Sequence, residues 1–266
     1  MSAAGATAPA ARPGLGRELR LYLHQVRGEQ LLYWRSREAA IFTFAFPIVL
    51  FVLLGAVYNG TIQGHPAGRY LLVGILGYGL GSTAFSGLAI TVVVRRENGV
   101  LKRVRATPLP PVTYLGAWLT SVVIVFSLET IVLIAIARLA FGVGVPDAIG
   151  SVVVETLFGI VAFAALGVGV TGWIRSAEGS SGILNIILLP MAFLGGSFSS
   201  TSKYPAFLRG IAEVLPLTHF IRIVKGTILD GQAFWAHPWS ILVVAGWAAF
   251  GVVAALRWFR WEPRST

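Results

Sequence analysis

The sequence predicts an all-α integral membrane protein. It reads as six transmembrane helices, with an N-terminal interfacial helix, a short cytoplasmic helix after the second span, and re-entrant helices on the outer side. Three observations carry this reading. The 266-residue chain is 56% hydrophobic and only 12% charged, with a mean hydropathy of +0.77, whereas a soluble domain carries roughly a quarter charged residues. The apolar residues gather in runs of about twenty, the length that crosses a hydrocarbon layer of roughly 30 Å. The cations, finally, crowd into alternate connecting segments, as positive-inside insertion requires.

In chain order, residues 1–14 form an Ala-rich tail without the apolar core of a cleavable signal, and are expected to be disordered. Residues 15–38 make an amphipathic helix: Leu15, Leu19, Tyr22, Leu23, Val26, Tyr33 and Trp34 share one face, and Arg17, Arg20 and Arg27 take the other. Such a helix suits the membrane interface. The membrane domain occupies residues 39–260, with spans at Ala39–Tyr58, Tyr70–Val94, Val112–Phe141, Ser151–Ile174, Gly182–Phe198 and Trp239–Phe259, and residues 261–266 form a cytoplasmic tail. Between spans five and six, residues 199–238 are broken by Pro205, Pro216 and Pro238 and carry Lys203, Arg209, Arg222 and Lys225. That segment is too interrupted to cross lipid. Two short helices dipping in from outside, buried against the bundle, would satisfy its backbone.

With both termini cytoplasmic, fifteen of the 21 cations lie inside, including Arg12, Arg17, Arg95, Arg105, Arg175, Arg257, Arg260 and Arg264. This placement accounts for the net charge of +10 and removes the reason to invoke nucleic acid as a partner. Cys is absent, and His65, His219 and His237 have no metal-ligand spacing, so no metal site is expected. A phosphate-binding loop needs Gly before Lys, but Lys102, Lys203 and Lys225 follow Leu101, Ser202 and Val224. The chain is thus expected to bind no cofactor and to catalyse no reaction. Gly179-Ser180-Ser181-Gly182 is no exception, since His24 is the only inner-side histidine.

The loop after span two reads Arg95-Arg96-Glu97-Asn98-Gly99-Val100-Leu101-Lys102-Arg103-Val104-Arg105-Ala106-Thr107-Pro108-Leu109-Pro110. Val100, Leu101 and Val104 stand at helical spacing among cations, Glu97 sits near the helix start, and Thr107-Pro108 ends it, so residues 95–107 form a short charged helix. On composition alone it is also a basic loop obeying charge bias. The stretch resembles the R-E-x-G-x-L-x-R-x-x-x-T-P-L signature of ABC transporter type 2 permeases through Arg96, Glu97, Gly99, Leu101, Arg103, Thr107, Pro108 and Leu109. A second resemblance lies in Pro190–Phe198, Tyr204-Pro205, Leu215-Pro216-Leu217-Thr218 and Arg222, which look like that family's fifth span and outward helices.

The resemblance implies a coupling helix that docks on a separate ABC ATPase subunit, with ATP and Mg held there. The implied coupling residues are Arg96, Glu97, Gly99, Val100, Leu101, Lys102, Arg103, Val104, Arg105 and Thr107, with Glu97 and Arg103 pairing across the contact and Val100, Leu101 and Val104 adding apolar area. It also implies a second permease copy, as a homodimer, in a bacterial inner membrane. Gly74, Gly77 and Gly81, with Ala165 and Gly169, permit close helix approach but do not assign the dimer face. Glu129, deep in span three, either lines the transport path or is a protonated carboxyl bonded to a neighbouring helix. Arg138 and Glu155 are expected to pair or to meet headgroups near the outer ends of their spans, and Arg175 and Glu178 to occupy a short inner loop.

The function so implied is ATP-driven export of a hydrophobic drug-like or lipid-like substrate, on the daunorubicin-resistance pattern. Export of polysaccharide or lipid-linked glycan is the alternative within the family. An ion-coupled secondary transporter depending on Glu129 and a membrane enzyme are the rivals outside it; the enzyme would need a polar catalytic cluster that the sequence does not offer.

Overall fold

The computed structural model describes residues 15–58, 60–146 and 148–259. The tails expected at residues 1–14 and 261–266, with Arg12, Arg260 and Arg264, lie outside the described residues. Eleven α-helices make up most of the described chain: α1 Leu15–Arg35, α2 Arg37–Val57, α3 Ala67–Leu80, α4 Leu88–Glu97, α5 Val100–Arg105, α6 Pro111–Phe141, α7 Ile149–Val170, α8 Ala177–Gly195, α9 Ala206–Ala212, α10 Pro216–Asp230 and α11 Pro238–Trp258. A small antiparallel hairpin, β1 Thr61–Ile62 with β2 His65–Pro66, precedes α3.

Six helices are long and apolar enough to cross a membrane: Ala40–Val57, Ala67–Glu97, Val112–Phe141, Ile149–Val170, Ala177–Gly195 and Pro238–Trp258. The chain is an all-α, multi-pass integral membrane protein. Spans two, four and five differ most from the sequence reading, span four closing at Val170 and not Ile174. Span two runs on through α3, a π-helical segment Gly81–Gly87 and α4 as far as Glu97, so Arg95 and Arg96 complete a span rather than begin a loop helix. Span five begins at Ala177 because Ser176 caps it, its hydroxyl accepting from the Gly179 amide at 3.3 Å, and it ends where Gly196 turns left-handed at φ 83°. The loop before it is therefore shorter than expected, and Glu178 belongs to the first turn of α8.

Span two is the axis of the bundle and is largely buried, whereas α2, α8 and α11 leave most of their length exposed. An exposed apolar face is the lipid-facing condition. The core it anchors includes Tyr70, Leu72, Ile75 and Leu80 with Phe163, Leu184, Leu188, Phe220 and Ile221. The glycines noted in the sequence are consumed inside the protomer: a side chain at Gly74 would strike the Ser197 backbone, at Gly77 Ile221, at Gly81 Leu188, and at Gly169 the backbone of Gly251.

The connections sort into two ends. At the basic end lie α1, the α4–α5 junction, the start of α6 and the α7–α8 connection, where Gly172 abuts Trp258 at the finish of α11. At the opposite end lie the hairpin, α9 and α10, tied by Gln63 to Ser200 at 2.6 Å, His65 to Asp230 at 3.5 Å, and Lys225 Nζ to the Tyr70 hydroxyl at 2.6 Å. Of the two short helices there, α10 is almost wholly buried and α9 is mostly exposed. His219 is fully buried beneath them, 2.8 Å from the Glu213 carbonyl and 3.1 Å from Ser240 Oγ. Arg222 binds Glu213 in bidentate fashion at 2.6 and 3.2 Å and holds its carboxyl below the usual carboxylate range. The expected pairing of Arg138 with Glu155 does not form, because Arg138 is exposed while Glu155 is buried with one carboxylate oxygen unpartnered.

Candidate functional site

The basic loop is held by the three residues that lead into it. Arg95, on one side of α4, makes a bidentate pair with Glu29 of α1 at 2.8 and 2.5 Å, donates to the Tyr114 hydroxyl of α6 at 2.9 Å, and lies 5.1 Å from the Trp118 ring centroid. Arg96 turns the opposite way, is 2% exposed, and donates to the carbonyls of Thr171 at 2.9 Å and Ile174 at 2.6 Å. Glu97 accepts from the amide of Ala177 at the start of α8. Adjacent residues therefore grip both flanks of the α7–α8 connection, a cation at the C-terminal end of α7 and an anion at the N-terminal end of α8. Both signs match the helix dipoles.

This arrangement corrects the reading of residues 95–107 as one helix. Asn98 ends α4, Gly99 adopts φ 67°, and only Val100–Arg105 is helical. Glu97 does sit at a helix start, but the helix is α8 rather than the loop helix. A left-handed residue costs an L-side chain roughly 1–2 kcal/mol, so Gly at 99 lets the chain reverse sharply beneath α4. Thr107 then closes α5: its hydroxyl donates to the Val104 carbonyl at 2.7 Å and accepts from the Leu109 amide at 3.4 Å.

The side chains of α5 divide by burial. Leu101 is 1% exposed and belongs to the core, and Val104 packs partly against it. Leu101 is thus an anchor of the loop and contributes no outer surface, contrary to the expectation that it adds docking area. Lys102, Arg103, Arg105 and Thr107 are exposed, and Val100 is half-buried. Arg96, likewise expected at the contact, faces inward, where its guanidinium donates to the Thr171 and Ile174 carbonyls of the turn that follows α7.

On the α1 side, Tyr22 reaches Thr120 Oγ1 at 2.5 Å, and Gln30 reaches Ser121 Oγ at 2.8 Å and its carbonyl at 3.1 Å. Tyr22 and Gln30, eight positions apart on α1, thus meet Gly116, Thr120 and Ser121 of α6. The apolar face foreseen for α1 is split: Tyr22 turns to α6 and Val26 is buried, whereas Leu19, Leu23 and Trp34 remain exposed.

Between α1, α2, α4 and α6 lies a cavity of about 280 Å³, bordered by Glu29, Tyr33, Thr43, Thr83, Thr91, Arg95, Trp118, Ser121, Val122 and Val125 among others. Glu129 does not border it. Its carboxylate Oε2 accepts from Thr83 Oγ1 at 3.0 Å, and the other oxygen fills the space left by the missing side chain of Gly79. Thr83, in the π-helical segment, is what reaches the cavity. No cluster of three metal-ligating side chains occurs among the described residues.

The profile of the family described as ABC-2 type transporter matches residues 21–229. The chain belongs to that family. It is 27% identical over 212 residues to the "Putative transport permease YvfS" of Bacillus subtilis (strain 168), covering 76% of this chain and 83% of that protein. It is also 21% identical over 170 residues to the "Inner membrane transport permease YhhJ" of Escherichia coli (strain K12), covering 62% of this chain and 45% of that longer protein. An ABC-2 permease is the transport component of an ABC transporter and not itself catalytic, and the family implies an ATP-binding partner subunit.

In the ABC-2 permease, the signature residues of the loop therefore serve two structural ends. Arg96, Glu97, Gly99 and Leu101 fix the loop to the membrane domain, while Arg103 and Thr107 are displayed beside the non-signature Lys102 and Arg105. Four participants were not singled out from sequence: Glu29, Tyr114 and the carbonyls of Thr171 and Ile174. The available signal was Arg95-Arg96 at the end of an apolar run, since a cation at that depth demands a partner. Which residue would supply it depended on packing.

Proposed function

We propose that this permease exports a hydrophobic drug-like or lipid-like substrate, driven by ATP hydrolysis on separate ABC ATPase subunits that hold ATP and Mg. The basic end faces the cytoplasm with both termini, in a bacterial cell membrane, and two copies of the chain form the working permease. The α5 segment is the coupling helix. Its exposed Lys102, Arg103, Arg105 and Thr107 meet the ATPase, while Glu97, Arg96 and Arg95 carry the movement to α8, α7, α1 and α6. Positive charge at that end supports the orientation, and the exposed leucines and arginines along α1 support an interfacial position for it.

The observation that carries the reading is the grip of three consecutive residues on four other elements directly beneath a charged, exposed helix. A displacement of α5 cannot be absorbed locally, because buried hydrogen bonds must break or their partners must move. The test is co-purification in detergent with candidate ATP-binding subunits, comparing native chain with Lys102→Glu/Arg103→Glu. A stable complex that this surface change dissociates supports the reading. If no ATP-binding subunit associates and the purified chain transports on its own, a secondary transporter takes its place.

A further inference from the structure

The cavity between α1, α2, α4 and α6 has the make-up of a ligand site within a single copy of the chain. Its inner wall is buried and apolar, formed by Leu88, Trp118, Val122 and Val125. Its mouth is at the α1–α2 junction, where the bordering residues Leu32 and Ser36 are exposed. Among its lining hydroxyls Thr83 already donates to Glu129, Thr91 to the Gly87 carbonyl, and Ser121 accepts from Gln30, so the polar positions open to a ligand are Thr43 and the buried Tyr33 hydroxyl beside it. The Tyr33 hydroxyl makes no close hydrogen bond, so an acceptor on a ligand would supply one to a buried donor.

The charges of the lining exclude most ligand classes. Glu29 and Arg95 are the charged members named in its border, and they are locked to each other in bidentate geometry. An anion would have to displace Glu29 and a cation to displace Arg95, each leaving a buried charge exposed to loss of its partner. A sugar would bring more hydroxyls than the apolar wall can satisfy. What remains is a neutral molecule with an apolar body and one or two hydroxyl or carbonyl groups, small enough for about 280 Å³, near the lower limit of ordinary ligand pockets.

We propose that this cavity binds such a neutral amphiphile, drawn through the α1–α2 junction from the bilayer leaflet at the basic end. Occupancy presses on the Glu29–Arg95 pair, which directly precedes the Arg96 and Glu97 contacts that hold the coupling helix, so the same pair reports the ligand toward the ATPase. The inference deepens the export reading and rests on it for its purpose, but binding itself requires no ATPase.

The test uses the full chain in lipid nanodiscs without partner, photolabelled with an octanol carrying a diazirine, and peptide mass spectrometry to locate adducts. Saturable labelling should fall on the segments containing Tyr33 and Val122, be displaced by excess octanol, and drop at least about tenfold in Val122→Trp. Thr43→Phe, which narrows the mouth from the half-buried rim, should give the same loss if the core change impairs folding. Ile186→Trp on the exposed face of α8 should change nothing. Labelling that is unsaturable, spreads over α2, α8 and α11, or survives both changes overturns the proposal. If the ATPase complex forms but the cavity stays unlabelled, this inference fails and the permease reading stands. Saturable labelling with no ATPase ever bound supports the cavity and removes the coupling.

Discussion

Arg96 is the residue on which most depends. Replacing it with Met keeps the aliphatic stem but strands the Thr171 and Ile174 carbonyls, at about 1–3 kcal/mol for each buried acceptor. The expected outcome is a lowered melting temperature in detergent, and Arg96→Lys should recover only part of it, since one ammonium lacks the fork that spans both carbonyls. The Glu29–Arg95 pair makes a different forecast. Glu29→Gln leaves a guanidinium buried without its counter-charge and should cost about 3–5 kcal/mol, whereas joint replacement by Leu and Met should be far milder. A double-mutant cycle by thermal unfolding measures this directly. Glu129→Gln keeps an oxygen for Thr83 but sets a buried amide N–H without an acceptor against Gly79, at about 1–3 kcal/mol, while Glu129→Ala leaves Thr83 unpartnered beside a void and should cost about 2–4 kcal/mol.

At the scale of elements, α5 behaves as an attachment to α4 and not as a free loop. Gly99→Val places a β-branched side chain in a left-handed conformation, at roughly 1–2 kcal/mol, and should loosen α5. Faster amide exchange across residues 100–105, with the spans unaffected, is the expected reading. At the opposite end, Arg222 lowers the Glu213 carboxyl, so the contribution of that pair is present above the ordinary carboxylate range and is lost as pH falls through the lowered value. Exchange in α9 and α10 should rise on acidification below that range, and Glu213→Gln should remove the pH dependence.

What the sequence made legible divides along the same scale. Spans such as Val112–Phe141 were visible because twenty or more apolar residues have one use in a chain this poor in charge. The π-helical segment Gly81–Gly87 was not, because it is a change of backbone hydrogen-bond register inside an unbroken apolar run. The loop signature pointed to the right residues while hiding their division of labour. Leu101 and Arg96 looked like surface groups in a polar stretch, and only the position of α7 shows that they face inward. The face of α1 failed for a related reason: Tyr22 and Val26 share a helical side with exposed leucines, and a wheel cannot distinguish lipid from α6.

For the whole molecule, the central claim is that movement imposed on α5 reaches the membrane domain through Arg96 and Glu97. The absence of native cysteine allows clean spin labelling at Arg175→Cys, exposed in the α7–α8 connection, and Phe207→Cys, exposed on α9. The decisive measurement is the distance distribution between these labels in the permease–ATPase complex, with and without ATP. ATP should shift that distribution in the otherwise native chain and leave it unmoved in Arg96→Met/Glu97→Gln, although that complex still assembles. An ATP-dependent shift that persists undiminished in the double variant would contradict the account.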